Sequence, residues 1–287
     1  MPNLRSLWQN LGTGSGVATG WIASHSTARA EPWASTGQAT AIGSSVNDRK
    51  LPPMCGRIAL YDEPDHLARL LDAGIDPDVM ADWRPGWNVA PTDRILGVTE
   101  RHGERLLRSY RWGLVPSWSK TPDVKGTFNA RAETLATKPM FRSAFRTSRI
   151  LVPVDAFYEW ERLDPKRKQP YAFTRADGQP IVFAGLRAWW RDAGGHDLNT
   201  ATIITTEAGP DMPIHNRQPV VLEPAHWALW LDPRLTDVGK LQPLLVPTVR
   251  GTLAHHPVAK EVGNVRNDGP ELLEAVTLED EPGLDLV

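Results

Sequence analysis

The stretch Ile150-Leu-Val-Pro-Val-Asp-Ala-Phe-Tyr-Glu-Trp160 decides the fold class of this chain. Its nearly continuous apolar, β-branched and aromatic character predicts an extended segment. Directly after it, Tyr171–Thr174 and Ile181–Leu186 flank the turn-forming pair Asp177-Gly178. A pair of this kind between two apolar runs favours a tight turn joining paired strands. This region therefore predicts an extended segment followed by a β-hairpin.

Short strands with few helices characterise the rest of the chain. Strands are predicted at Cys55–Leu60, Ile95–Thr99, Leu106–Leu114 and Ala201–Thr206. Helices are predicted at Glu63–Ala73, Thr134–Arg146, Pro224–Leu231 and Val238–Leu244, and a loop at Asn88–Pro91. Because no strand–helix–strand unit repeats, the pattern indicates an α+β fold. We expect a curved, mainly antiparallel sheet or barrel with flanking helices.

The composition changes near residue 54 and again near the C-terminus. Residues 1–53 are rich in Gly, Ser, Thr and Ala without an apolar period, so we expect a disordered leader or a mis-annotated start. Residues 54–277 are expected to form one domain. Residues 278–287 are expected to form an acidic tail.

The overall composition excludes several classes of protein. One cysteine excludes a disulfide framework and a cysteine-rich zinc site. The eight histidines lack paired-ligand spacing, and there is neither a P-loop nor a GxGxxG motif, so we expect no metal and no cofactor. No apolar run approaches the roughly 20 residues of a membrane span, and no secretory signal is visible. A cytoplasmic protein that does not enter membranes is expected.

Local charge differs from the net charge of −2. Residues 125–149 hold six basic side chains against Glu133 alone. Such a segment suits a local contact with a polyanion, and it equally suits a solvated helix face.

Cys55 follows an internal methionine, Met54. If Cys55 were the first residue of the mature chain, it would carry an α-amine and a thiol on adjacent carbons. That pair captures aldehydes, because the amine forms a Schiff base that the thiol closes to a thiazolidine. The alternative is a buried small hydrophobic residue.

Four polar residues stand among apolar or tightly turned neighbours. Glu159 ends an apolar run and could transfer protons, or could lie exposed on a strand. His215 follows Ile214 in a loop, where it could act chemically or bond to backbone. Asn129 could orient an amine or cap a helix. Arg131 could clamp a phosphate or pair with Glu133.

Nine motifs in order resemble the SOS-response-associated peptidase (SRAP) family. They are MCGR at Met54–Arg57, NVAP at Asn88–Pro91, WGLVPSW at Trp112–Trp118, NARAET at Asn129–Thr134, YEW at Tyr158–Trp160, TTEA at Thr205–Ala208, IHNRQP at Ile214–Pro219, HPV at His256–Val258 and VGNVRN at Val262–Asn267. The resemblance covers essentially all of the chain from Cys55 to Asn267.

The resemblance implies a sensor of abasic sites in single-stranded DNA, acting in the DNA damage response. In that family the exposed cysteine forms a thiazolidine crosslink with the ring-opened sugar and shields the lesion. By this resemblance Cys55 is the nucleophile, and Asn129 orients the new N-terminus. Glu159 is the acid/base that assists ring opening, and His215 donates a hydrogen bond beside the lesion.

The remaining expected DNA contacts rest on residue chemistry. Arg57, Arg131 and Arg217 are candidates for backbone phosphates, and Trp118, with Asn88 and Pro91 of the NVAP loop, for stacking or wedging beside the missing base. The other five tryptophans considered are expected in the core: Trp83, Trp189, Trp190, Trp227 and Trp230.

This chain departs from the family pattern at Asn216, where an acidic residue is usual, and at Gln218, where methionine is frequent. If the missing carboxylate tunes the histidine, His215 is expected to titrate lower and to protonate less readily.

Alternatives to covalent capture remain open. Cys55 with His215 could form a thiol peptidase that removes the chain's own leader, or the domain could bind single-stranded DNA noncovalently. Crosslinking needs a free amine at Cys55, so translation from Met54 or cleavage before Cys55 is required. A monomer is expected.

Overall fold

A computed structural model describes residues 56–123 and 125–278. Within these residues the strands are β1 (Ile58–Leu60), β2 (Gly74–Ile75), β3 (Gly86–Val89), β4 (Arg94–Arg101), β5 (Glu104–Trp112), β6 (Asn129–Arg131), β7 (Arg149–Val154), β8 (Ala156–Arg162), β9 (Lys168–Arg175), β10 (Ile181–Arg191), β11 (Asp197–Glu207), β12 (Arg217–Pro219) and β13 (Leu253–Pro257). The α-helices there are α1 (Pro64–Leu70), α2 (Pro77–Asp82), α3 (Arg142–Thr147), α4 (Pro224–Leu231) and α5 (Val238–Leu241). Short 3-10 turns cover Ala132–Thr134, Gln242–Leu244, Lys260–Gly263 and Pro270–Leu273. The predicted α+β class is confirmed.

Five strands close into a ring. β5, β4, β7, β10 and β11 pair in succession with antiparallel neighbours. The ring closes where β11 meets β5 in parallel, with Thr200 beside Arg111 and Ala201 beside Trp112. Because the ring is closed, each of these five strands has a paired neighbour on both sides.

Alternate residues of these strands face opposite sides of the barrel wall. The inner set, which includes Ile95, Trp112, Val152, Phe183 and Ile203, forms one buried apolar cluster. The outer set packs instead against helix residues and forms a second buried cluster with members such as Leu67, Phe145 and Trp230. The barrel is therefore filled inside by side chains and covered outside by helices.

A second sheet, in the order β13-β9-β8-β1-β3, lies at one end of the barrel. The stretch that predicted the fold class joins the two sheets: it divides at Asp155 into β7 of the barrel and β8 of the second sheet. The half-buried Asp155 carboxylate accepts hydrogen bonds from the backbone N–H groups of Tyr61 and Asp62, at 2.6 and 3.0 Å. These bonds hold the bend, while burial raises the pKa of the carboxyl.

The hairpin predicted around Asp177-Gly178 is wrong in its pairing. The turn is present, with Gly178 at φ 76° and its N–H bonded to the carbonyl of Arg175. However, β9 pairs with β8 and β13, whereas β10 pairs with β7 and β11. Because Ile181–Leu186 is buried along its whole length, it needs covered faces on both sides and becomes a central barrel strand.

The helix predicted at Thr134–Arg146 is also wrong over most of its length. A 3-10 turn at Ala132–Thr134 is followed by irregular chain, and α3 begins only at Arg142. Pro139 explains the interruption, since proline lacks an N–H and disfavours helical backbone before it. Asn88 and Val89, predicted in a loop, end strand β3, and α2 was not predicted.

The other predicted elements are found, with shifted ends. The helix Pro224–Leu231 matches α4 at both bounds. Of the strand predicted from Cys55, Ile58–Leu60 is found, while Cys55 lies outside the described residues. Trp190, Trp227 and Trp230 are buried and Trp83 packs partly against the core, but Trp189 is 44% exposed, so its predicted core position is wrong. None of the helices in the described ranges is both long and apolar enough to cross a membrane.

Candidate functional site

The site lies where β1 and β8 run side by side. Their antiparallel register pairs Ile58 with Phe157 and Ala59 with Ala156. Continued by two residues, the same register sets Gly56 opposite Glu159. Glu159 is 4% exposed and shares the strand face of Phe157, which belongs to the barrel's inner apolar cluster. The exposed-strand interpretation of Glu159 is therefore wrong.

Gly56 also has the NVAP turn and the residue before Asn129 as neighbours. A Cβ placed on Gly56 would lie 3.9 Å from Pro91 Cγ and 3.9 Å from Phe128 Cε2. Trp112 ties these two segments together. Its indole N–H donates to the carbonyl of Phe128 at 2.8 Å, and its backbone bonds to Thr92 and Asp93 beside Pro91. Glu159, Pro91 and the start of the NARAET segment therefore surround the residue that follows Cys55.

The NARAET and IHNRQP segments lie on the two edges of one strand. Residues Asn129–Arg131 of β6 pair in parallel with Ile203–Thr205 of β11, and Arg217–Pro219 of β12 pair with Thr205–Glu207. The half-buried Asn129 lies within β6, ahead of the 3-10 turn that begins after Arg131, so the helix-cap interpretation is wrong.

Glu133 and Arg217 join these two edges. The guanidinium of Arg217 donates to both carboxylate oxygens of Glu133, at 3.0 and 3.1 Å, and to the carbonyl of Thr205 at 2.8 Å. Burial raises the pKa of Glu133, but hydrogen bonds and the charges of Arg217 and Arg131 outweigh it and leave the pKa below 4.5. The ion pair between Arg131 and Glu133 that the sequence suggested is not observed. The Glu133 carboxylate pairs with Arg217 instead.

His215 is half-buried between Ile214, which packs on the inner apolar cluster, and the exposed Asn216. Its Nδ1 accepts a hydrogen bond from the backbone N–H of Arg217 at 3.1 Å. Burial, together with the charge of Arg217, lowers the pKa of His215 despite this bond. The neutral ring thus carries its proton on Nε2, which is buried and has no hydrogen-bond partner among the described residues. His215 can therefore donate a hydrogen bond from Nε2 while remaining uncharged.

The side chains of Arg57 and Asn88 make hydrogen bonds within the protein. Arg57 donates to the amide oxygen of Asn88 and to the carbonyl of Val262, each at 2.8 Å, and lies 5.8 Å from the ring of Trp160. The Asn88 amide nitrogen donates to three backbone carbonyls of the VGNVRN segment. Their geometry suits positioning of the second sheet, and their contact with DNA stays a prediction.

The remaining DNA candidates are open to solvent. Trp118 is 64% exposed and Arg131 is exposed, while Pro91 is half-buried in its turn.

Of the six basic residues in 125–149, five are exposed, but Arg149 is buried. Its guanidinium donates to the carbonyls of Phe145, Arg146, Trp230 and Asp232, and burial lowers its pKa to about 10. Five basic side chains of this segment are therefore open to solvent.

The two departures from the family pattern differ in environment. Asn216 is exposed, and its carbonyl accepts a bond from Ala208. Gln218 is fully buried: its amide oxygen accepts from the N–H of Gly209 at 2.6 Å, and its nitrogen donates to Thr248 at 3.2 Å. Gln218 thus braces the chain that carries His215. No cluster of three or more metal-ligating side chains occurs in the ranges the structure describes.

A closed barrel and a second sheet define an α+β protein whose candidate site lies beside Gly56. The chain belongs to the SOS response associated peptidase (SRAP) family, whose model matches residues 54–265. The resemblance seen in the motifs is confirmed.

Named relatives agree with this assignment, and a solved structure agrees with the fold. The chain is 38% identical over 225 residues to abasic site processing protein YoqW of Bacillus subtilis, covering 77% of this chain and all of the relative. It is 32% identical over 228 residues to abasic site processing protein YedK of Escherichia coli, covering 78% and 100%. A crystal structure of a Bacteroides thetaiotaomicron protein superposes with a TM-score of 0.70 at 21% identity, covering 78% and 100%, which supports the fold.

Proposed function

We propose that this protein captures abasic sites in single-stranded DNA by a covalent bond to Cys55 and so shields the lesion. The observation that carries this proposal is the position of Glu159. Its buried carboxyl lies opposite Gly56 in the strand register, next to the chain position of the nucleophile. The names of the relatives, abasic site processing proteins, support the class of lesion.

The proposed reaction needs no oxidant and no cofactor. The neutral α-amine of Cys55 attacks the aldehyde of the ring-opened sugar, and loss of one water gives an imine. The thiol then adds across the carbon–nitrogen double bond: a carbon–sulfur bond forms, and the thiol proton passes to nitrogen. The product is a thiazolidine whose mass equals protein plus DNA less one water.

The proposal gives supporting roles to three side chains. Glu159 donates a proton when the closed sugar opens, and again to the hydroxyl group that leaves as water when the imine forms. His215, neutral and with an Nε2–H that has no partner among the described residues, donates to a sugar or phosphate oxygen without adding charge. Asn129 begins β6 directly after Phe128, which lies near Gly56, and its amide is proposed to orient the amine.

Single-stranded DNA is proposed to pass over the exposed Trp118 and the five exposed basic residues of 125–149. Aromatic platforms beside basic grooves bind single strands without reading their sequence. Each contact of a basic side chain with a phosphate releases a counterion, so this part of the affinity falls with salt. A cytoplasmic monomer, associated with the nucleoid when bound to DNA, is part of the same proposal.

The test is the intact mass of the protein before and after incubation with single-stranded DNA carrying one abasic site. Two starting proteins are compared, the 287-residue chain and a chain starting at Met54 with that methionine removed. The second is expected to gain the mass of the DNA less one water. Cys55→Ala should abolish the gain while leaving weak binding to intact DNA. Capture that persists in Cys55→Ala would refute the proposal.

Glu159→Gln is the sharper variant, and Glu161→Gln is its matched control. Glu161 lies two residues further along β8 and accepts a bond from the Tyr171 hydroxyl at 2.9 Å. Loss of a proton-transfer group should slow capture by about 100-fold or more. Equal rates for the two variants would remove Glu159 from the mechanism.

Self-processing by a Cys55 peptidase makes a different prediction for the 287-residue chain. It predicts spontaneous loss of residues 1–54, which Cys55→Ala should stop. The same mass spectra report this outcome, so the lyase-like and peptidase activities are separated in one experiment.

A further inference from the structure

The far end of the barrel differs in chemistry from the end that carries Gly56. β4 begins at the NVAP turn and ends at the His102-Gly103 turn, where β5 starts back. The six residue steps from Ile95 to Arg101 span about 20 Å. The β4–β5 hairpin tip therefore lies well away from the candidate site, and what binds there would not depend on the proposed function.

Inward-facing positions change from apolar to cationic towards this end. Along β4 the inner face continues from Ile95 to Thr99 and Arg101, and along β5 it runs back from Trp112 to Arg108. On β10, Arg187 continues the inner row of Ile181 and Phe183. Three guanidinium groups thus replace hydrophobic side chains at the mouth of the barrel.

A cavity of about 570 Å³ opens against the hairpin. Its walls include Thr99, Arg101 and Arg108 from the inner rows, with Arg105 and His102 beside them and Asp72 and Glu104 as acidic members. Arg187 does not line the cavity itself, but it donates through Nε to the hydroxyl of Thr99, which does, at 3.2 Å. The cavity is large enough for a phosphate with an attached sugar or base.

The charges around this cavity are only partly balanced within the described residues. Asp76 lies 3.0 Å from Arg108, and Glu100 lies 3.5 Å from Arg105. Neither Arg101 nor Arg187 has a carboxylate at ion-pair distance in the ranges the structure describes. Burial lowers the pKa of Arg187, and repulsion by the charges of Arg101 and Arg108 lowers it further. The nearby Tyr110 acts in the opposite direction and raises this pKa. Buried Arg149, in contrast, is satisfied by four carbonyls.

We infer that this cavity binds a phosphate-bearing anion through Arg101, Arg108 and Arg187. Guanidinium forks match phosphate oxygens in geometry and charge, and such bonds strengthen where solvent access is limited. A bound anion would also relieve the repulsion among three converging cations. The same chemistry is offered by a small phosphorylated compound and by a DNA backbone.

The test titrates the 287-residue protein with inorganic phosphate and with pyrophosphate at constant ionic strength, by calorimetry. Saturable binding is expected, tighter for pyrophosphate. Arg101→Gln and Arg187→Gln should each weaken binding by about tenfold, the loss of one charge-assisted contact. Arg250→Gln removes an exposed arginine on another part of the chain and should leave binding unchanged.

No saturable binding, or the same loss in Arg250→Gln, would overturn the inference. The Arg101 side chain is exposed and makes no hydrogen bond to another described residue, so its variant should fold even if Arg187→Gln does not. Competition with intact single-stranded DNA then separates the two sources. If DNA displaces phosphate and Arg101→Gln weakens DNA binding, the anion is the DNA backbone; if neither occurs, it is a small phosphate compound.

Discussion

Arg217 holds Glu133 through two parallel hydrogen bonds of 3.0 and 3.1 Å, although the residues are 84 positions apart. The same guanidinium bonds to the carbonyl of Thr205, so one side chain ties β12, β11 and the turn after β6 together. This contact keeps the His215 and Asn129 segments in fixed relation. It also neutralises an arginine that would otherwise be open to phosphate.

Glu133→Gln should therefore strengthen noncovalent binding of single-stranded DNA by about two- to fivefold at low salt, because it frees the positive charge of Arg217. Stability should fall by less than about 1 kcal/mol, since Glu133 is 51% exposed. Fluorescence anisotropy over a salt series measures the affinity. Glu223→Gln is the control, because Glu223 makes the same bidentate pair with Arg175 outside the site. An affinity gain in both variants would contradict a local effect.

His215 should make stability depend on pH in a defined direction. Its pKa in the folded protein lies below the ordinary 6.5, so the folded state binds fewer protons than the unfolded state around that pH. Its contribution is complete above pH 6.5 and is lost as the pH falls through the lower, folded value. The difference in Tm between the wild type and His215→Gln, measured from pH 7.5 to 5, should shift in favour of the variant on acidification. A difference that does not change with pH would count against a depressed pKa.

Trp118→Ala should weaken binding of intact single-stranded DNA by about 1–3 kcal/mol with little change in Tm, because a mostly exposed indole contributes stacking rather than core packing. Trp189→Ala is the matched control: Trp189 is 44% exposed, and the Arg191 guanidinium lies 4.9 Å from its ring centre. Equal losses of affinity would show that stacking is not specific to the Trp118 position.

Arg149→Met should destabilise the fold by about 3 kcal/mol, since it leaves four buried or partly buried carbonyls without their donor. Arg146→Gln, which removes an exposed charge from the same helix α3, should change stability by less than about 0.5 kcal/mol. Urea denaturation compares the two. A small loss for Arg149→Met would contradict its role as the support for the ends of α3 and α4.

Local patterns predicted the elements well where the signal lies within a few residues. The helix Pro224–Leu231, with proline at its start, is found at its predicted bounds. Most strands were located, but α2 was missed and the end of β3 was predicted as a loop. The predicted helix at Thr134–Arg146 failed because Pro139 interrupts it. The nine motifs identified the family because their order along the chain is itself a specific signal.

Pairing could not be predicted locally. Asp177-Gly178 forms the expected turn, yet the strands on either side belong to different sheets. Which strands pair depends on how all apolar faces of the chain are covered at once, and no window of residues contains that information.

The sequence alone was enough for the fold class and the family, and it supplied the site residues as predictions. Only the tertiary structure decided that Glu159 lies opposite Gly56, that Glu133 belongs to Arg217 and that Arg149 is an internal support. Each of these depends on strand register and on closure of the barrel, which bring distant segments together. The chemical type of each side chain can be seen in the sequence, whereas the residues that it contacts are set by the packing of the whole chain.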